Sequence, residues 1–148
     1  MAVVKASADR FGHRFERQLF VDTSAWFAFV NRKDPDHHTV ARLLERYEGR
    51  LLTSNFVFDE TITLCLVRLG HEVARQVGEA LLDPGLTDLV RVQSQDEAAA
   101  WQLFEARPDK RYSFTDCTSF VLLRRLGKPA VAALDDHFRQ EGFEVEVG

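Results

Sequence analysis

The sequence predicts an α/β fold: a three-layer sandwich with a mainly parallel central sheet flanked by helices. Two observations carry this expectation. From residue 18 onward, short apolar runs of strand length alternate with longer segments of helical period, the pattern of strands linked by helical crossovers. Two of those runs, QLFV and AVAAL, are followed at once by an aspartate, Asp22 and Asp135. In open parallel sheets, function collects outside the carboxyl ends of the strands.

The elements follow in order. Gln18–Val21 is a short buried strand, and Ser24 to Asn31 reads as a short helix. Asp34-Pro35-Asp36 breaks the chain before a helix from His37 to Tyr47, whose apolar positions are Val40, Leu43, Leu44 and Tyr47 and which Gly49 closes. Leu51 to Thr53 is the second strand. Asn55 is the expected N-cap of a helix ending at Leu69, with Gly70 as its stop. His71 to Leu82 is another helix, ended by Asp83-Pro84-Gly85. Asp88 to Val92 is the third strand. Ser94, with Glu97 three residues on, reads as a capping box for a helix reaching Ala106. Thr115 opens a helix running to about Leu126, stopped by Gly127. Ala130 to Leu134 is the fourth strand, Asp135 to Gln140 a short helix, and Phe143 to Val147 a last, alternating strand.

The chain of 148 residues suits one domain, and a domain of that size buries roughly 70% of its unfolded surface. Residues 1–17 lack a clear apolar period and carry Lys5, Arg10, Arg14 and Arg17. They read as an N-terminal extension, weakly ordered or a short helix, ahead of a domain over 18–148. No run approaches the ~20 apolar residues of a membrane span, and the first residues hold no apolar core of signal-peptide length. Cys65 and Cys117 have no CxxC or Cys/His ligand spacing, so zinc is not expected and the thiols read as reduced. A cytoplasmic protein is the expectation. The net charge of −4 argues against a bulk electrostatic grip on nucleic acid. It is compatible with a nuclease whose acids are offset locally by cations.

Besides Asp22 and Asp135, two acids lie in early turns of helices, Glu60 in NFVFDET and Asp116 in FTDCTSF. Helices that follow strands in a parallel sheet begin at the same edge, so these four carboxylates can meet there. Clustered ionised carboxylates repel one another and require a compensating cation. An all-oxygen donor set suits Mg²⁺ or Mn²⁺, which activates water and offsets charge on phosphate oxygens. Asp59, about 100° around its helix from Glu60, reads as a solvated charge. Position alone does not separate Asp135 from Asp136.

Four segments together carry a family resemblance. VDTSAW at 21–26, LLTSNFVFDET at 51–61, YSFTDCTSFVLLRRLG at 112–127 and VAALDDHFRQEGF at 131–143 resemble, in order and spacing, the four motifs of PIN-domain ribonucleases. Prokaryotic VapC-type toxins of toxin–antitoxin pairs are the nearest in kind. The resemblance implies Mg²⁺- or Mn²⁺-dependent endonuclease activity on RNA. It assigns metal binding to Asp22 and Asp116 first, then to Glu60 and Asp135, favouring Asp135 over Asp136 because it lies three residues before Phe138. Thr115 and Ser119 become supporting hydroxyls, and Ser24 orients a carboxylate or a water. The resemblance also implies an antitoxin as partner.

Other features have two readings each. Asp34, Asp36, His37 and His38 read as a helix start rather than a metal site. Arg107, Lys110 and Arg111 flank the Asp116 motif and suit RNA phosphates or a solvated loop. Arg124 and Arg125 read as helix-surface charges. His137 packs beside Phe138 or touches substrate. The aromatic-rich stretches at Trp26, Phe27, Phe29 and at Phe56 to Phe58 suit core packing or a surface for a homodimer or antitoxin. A haloacid-dehalogenase-type phosphatase wants a second acid two residues after the strand-end aspartate, where this chain has Ser24. No GxxxxGK[ST] supports a P-loop NTPase. The remaining alternative is a catalytically silent RNA- or protein-binding module.

Overall fold

The computed structural model describes residues 17–147. The expected extension over 1–17 therefore lies outside the described residues, Arg17 excepted. Five strands and seven helices form among the described residues. They are β1 (Gln18–Val21), α1 (Thr23–Val30), α2 (His37–Arg46), β2 (Arg50–Ser54), α3 (Asn55–Leu69) and α4 (His71–Leu81), then β3 (Asp88–Val90), α5 (Ser94–Ala106), α6 (Phe114–Arg125), β4 (Ala130–Ala132), α7 (His137–Gln140) and β5 (Val145–Val147).

All strand pairs are parallel, in the order β3-β2-β1-β4-β5. The chain runs outward from β1 through β2 to β3, then returns across it to β4 and β5. Parallel crossovers are right-handed, so this reversal puts α1 to α4 over one face and α5 to α7 over the other. The expected three-layer sandwich is the result. Central β1 explains its apolar sequence: Leu19, Phe20 and Val21 are fully buried, as strands covered on both faces must be. The core continues through Phe120 and Phe138, whose rings meet edge-on at 5.0 Å. Phe138 also reaches Phe20, which anchors α7 to the central strand.

Several boundaries differ from expectation for local reasons. Ser54, not Asn55, caps α3 by accepting from the Val57 amide. The Asn55 side chain instead accepts from the Val92 amide at 2.7 Å and ties the end of β3 to α3. The capping box of α5 sits one residue earlier than Ser94, on Gln93 and Asp96. Arg125 reaches across from α6 to Asp96, so a tertiary ion pair selects that acid over Glu97. In α6 the box is Ser113 with Asp116, and the helix opens at Phe114 rather than Thr115. β4 ends at Ala132 and α7 begins at His137. Leu134 and Asp135 between them form a turn in which Asp135 Oδ1 accepts from the His137 amide at 3.0 Å. Gly49 is required by close approach: a Cβ there would stand 2.3 Å from the Arg17 carbonyl oxygen, inside any van der Waals contact. That carbonyl accepts from the Arg50 amide at 2.8 Å, at the entry to β2.

Of the aromatic-rich stretches, Trp26 and Val57 are core, while Phe27, Phe29, Phe56 and Phe58 are partly buried against it. The apolar side chains left exposed lie elsewhere, at Leu66, Val67, Leu82, Trp101 and Phe104.

Candidate metal centre at the β1 and β4 strand ends

The strand order reverses between β1 and β4. Open α/β sheets leave a crevice at such a switch point, outside the carboxyl ends of the strands. Asp22 and Asp135 flank it. Asp22 follows β1, donates its amide to the Ala132 carbonyl of β4 at 3.0 Å, and is the N-cap of α1. Its Oδ2 accepts from the Ser24 amide at 3.3 Å and from the Ser24 hydroxyl at 2.9 Å. Ser24 Oγ in turn accepts from the Leu134 amide at 3.1 Å. One hydroxyl thus ties the Asp22 carboxylate to the turn that carries Asp135. Ser24→Ala is expected to weaken Mn²⁺ binding roughly 10- to 100-fold with little loss of stability, as loss of a group that orients a carboxylate donor does; titration followed by the free-ion Mn²⁺ signal checks it.

Asp116 enters from the first turn of α6. Its Oδ2 accepts from the Ser113 amide at 2.9 Å and meets His137 Nδ1 at 3.0 Å. Glu60 enters from α3, and the Thr23 side chain beside it favours its charged form. Thr23 is itself held by the Thr61 hydroxyl at 3.3 Å.

Asp22, Glu60, Asp116 and Asp135 lie near enough for their charges to act on one another. Burial pushes the Asp22 carboxyl up to about 7, with Asp116 and Asp135 adding repulsion against the Ser24 bonds. Glu60 is raised by burial first, then by Asp116, Asp135 and Asp59. Asp116 is raised by burial, and Asp135 adds to it, despite the bonds from Ser113 and His137. The four sequence-predicted acids are therefore brought together, while Asp59 and Asp136 point to solvent.

The donor set fits a divalent cation. Asp22 Oδ1 is buried with no hydrogen-bond partner, an acceptor that a cation would satisfy. Among the described residues no group of three or more acidic, histidine or cysteine side chains stands in position to hold a metal ion. Mg²⁺ ordinarily keeps several waters and takes only one or two carboxylates.

The supporting residues divide. Thr115 is half-buried, and its carbonyl accepts from the Thr118 hydroxyl. Ser119, one turn beyond Asp116, is fully buried with its hydroxyl unpartnered. Arg107 is held by Glu141 at 3.0 Å, whereas Arg111 is exposed and Lys110 half-buried. Sequence reasoning missed Thr23 and Ser113 and gave His137 mainly a packing role. The Ser113 signal was readable as the S-x-x-D spacing of a capping box. The other two depend on contacts between elements distant in sequence.

Residues 19–144 match the family model described as the PIN domain. The chain belongs to the PIN-domain family. Among curated relatives, this PIN domain is 39% identical to "23S rRNA-specific endonuclease VapC20" of Mycobacterium tuberculosis, over 87% of this chain and 97% of that protein. It is 30% identical to a "VapC ribonuclease" of Archaeoglobus fulgidus, over 80% of this chain and 77% of the relative. Among solved structures, the crystal structure of Mycobacterium tuberculosis VapC20, described as a "Sarcin-Ricin loop cleaving toxin", superposes with a TM-score of 0.80 at 34% identity, covering 84% of this chain and 95% of that one. The PIN-domain relatives named here are thus ribonucleases, and the parallel sheet is the fold of that family.

Proposed function

We propose that this PIN domain is an Mg²⁺- or Mn²⁺-dependent endoribonuclease that hydrolyses RNA phosphodiester bonds, and that it is the toxin of a toxin–antitoxin pair. The observation that carries the reading is the buried, unpartnered Asp22 oxygen at a strand-end crevice shared with Asp116, Glu60 and Asp135. Asp22 and Asp116 would hold the cation, with Glu60 and Asp135 as further ligands directly or through water. A bound divalent ion supplies water activation and charge neutralisation at the phosphate. The chain's own part is to keep these carboxylates oriented. Asp22 and Asp116 each have Oδ2 engaged by two donors. The described hydrogen bonds leave Oδ1 of both open.

Three further parts of the proposal have separate support. Ribosomal RNA as substrate rests on the 23S rRNA-specific endonuclease of Mycobacterium tuberculosis to which the chain is similar. An antitoxin partner rests on the similarity to a toxin of known structure and on a cavity of about 790 Å³ between α1, α2 and α4. Trp26, Phe29, Val73 and Val77 line that cavity, and the Trp26 Nε1 is buried without a partner. A homodimer rests on the exposed Trp101 and Phe104, stacked at 5.5 Å, with Leu66 and Val67 also exposed. Among the described residues no helix is long and apolar enough to cross a membrane.

Purified protein freed of any bound inhibitor should cut 23S rRNA in intact ribosomes with Mg²⁺ or Mn²⁺ and not with EDTA. Cuts in other RNA only would overturn the ribosomal substrate. No metal-dependent cleavage of ribosomal, transfer or messenger RNA would favour the silent binding module.

A further inference from the structure

We propose that His137 is a positioning residue of the acidic centre: its Nδ1–H fixes Oδ2 of Asp116, so that the other oxygen is the one presented to a cation. The inference rests on the metal-dependent nuclease reading above and adds a residue to it.

The geometry is specific to one ring nitrogen. An ionised carboxylate only accepts hydrogen bonds, so the 3.0 Å contact to Asp116 Oδ2 requires the proton on Nδ1. The same nitrogen stands 3.8 Å from Asp135 Oδ1, and the His137 backbone amide already donates to that oxygen. His137 therefore touches acids from two separate motifs, one on α6 and one on the β4–α7 turn. With the Ser113 amide on the same atom, Asp116 Oδ2 holds two donors. A carboxylate restrained in this way cannot rotate freely to chelate through both oxygens.

The imidazole is restrained in turn. Its ring meets the Tyr112 ring edge-on at 5.2 Å. The Tyr112 hydroxyl donates to Glu141 Oε2 at 3.0 Å, and burial together with Glu141 pushes that phenol up to about 12, keeping it a donor. Glu141 is nearly buried and held by Arg107 and Arg124, each at 3.0 Å. Burial opposes its charge, yet the bonds from Arg107, Arg124 and Tyr112 hold its carboxyl below the ordinary range. Phe138, fully buried next in sequence, anchors the short helix itself. Arg107 and Arg124, which the sequence leaves as candidate RNA contacts or surface charges, thus brace the far end of the chain that ends on Asp116. Partners of this kind, which orient a ligand without binding metal, commonly change metal affinity 10- to 100-fold.

Three variants separate position from bulk. Asparagine places an amide N–H where Nδ1 stands, glutamine places it near Nε2, and phenylalanine keeps the ring without a donor. Mn²⁺ binding to the purified chain, read from the free-ion electron paramagnetic resonance signal, should be retained in His137→Asn. It should weaken roughly 10- to 100-fold in His137→Gln and His137→Phe. RNA cleavage by the two weakened variants should recover as Mn²⁺ is raised. Thermal melts check that all three fold. Undiminished Mn²⁺ binding in folded His137→Phe, or equal loss in His137→Asn and His137→Gln, overturns the inference while leaving the nuclease reading intact. A wild-type chain that neither binds Mn²⁺ nor cuts RNA overturns both.

Discussion

Asp116→Asn is expected to abolish RNA cleavage, by at least about a thousandfold or ~4 kcal/mol of transition-state stabilisation, while the protein remains folded. The substitution keeps an oxygen able to accept from the Ser113 amide at the start of α6. It also keeps the volume of a side chain that is almost entirely buried. What it removes is the negative charge, in a centre where burial and Asp135 already work against that charge. Stability should therefore stay level or rise, and activity should disappear. A single-turnover assay beside a thermal melt distinguishes this from simple unfolding. Wild-type cleavage rates in Asp116→Asn would remove Asp116, and with it the α6 contribution, from the site.

The second large effect concerns Asp22 and pH. In the folded protein its carboxyl titrates at about 7, against an ordinary value of 3.8, because it is buried beside Asp116 and Asp135. Between those two values the native state keeps a proton that the unfolded chain has released. The native state binds more protons there, so this group's contribution to stability falls as pH rises through the window. Below about pH 4 the penalty is absent, and above about pH 7 it is complete, on the order of 4 kcal/mol. Urea unfolding in EDTA should show the wild type losing stability relative to Asp22→Asn between pH 4 and pH 7.5. Added Mn²⁺ at pH 8 should narrow or reverse the gap, since a ligand that binds only the native state stabilises it. Parallel pH profiles for the two proteins would mean that Asp22 is not the strained acid.

Both predictions concern residues that were legible in the chain. Asp22 stands directly after β1, Asp135 follows the apolar run that contains β4, and Asp116 lies in a helix start that the S-x-x-D spacing encodes. Such signals are local, because a strand end and a helix cap are set by neighbours within about four residues. The alternation of strands and helices was legible for the same reason, and it restricts the topology to a mostly parallel sheet. His137 was less legible. Its sequence neighbours explain only that it follows a turn next to a core phenylalanine. Its partner Asp116 is twenty-one positions away, on a helix that reaches it only after β4 crosses back beside β1. Asn55 and Asp96 show the same limit at caps. Asn55 is committed to Val92 instead of capping α3, and Asp96 serves the α5 capping box while also pairing with Arg125, each partner more than twenty-five positions distant.

By itself, then, the sequence determined the class of fold, the strand-end and helix-start positions of the four acids, and the oxygen-only chemistry they offer. Those follow from hydrophobic period and capping, which act over a few residues. Only the tertiary structure decided that the strand order reverses between β1 and β4, and that Ser24 and His137 each join two motifs. It also decided which carboxylate is buried deeply enough to be pushed to about 7. Proximity across the chain and the desolvation that comes with it are properties of the packed molecule. No local pattern of residues carries them.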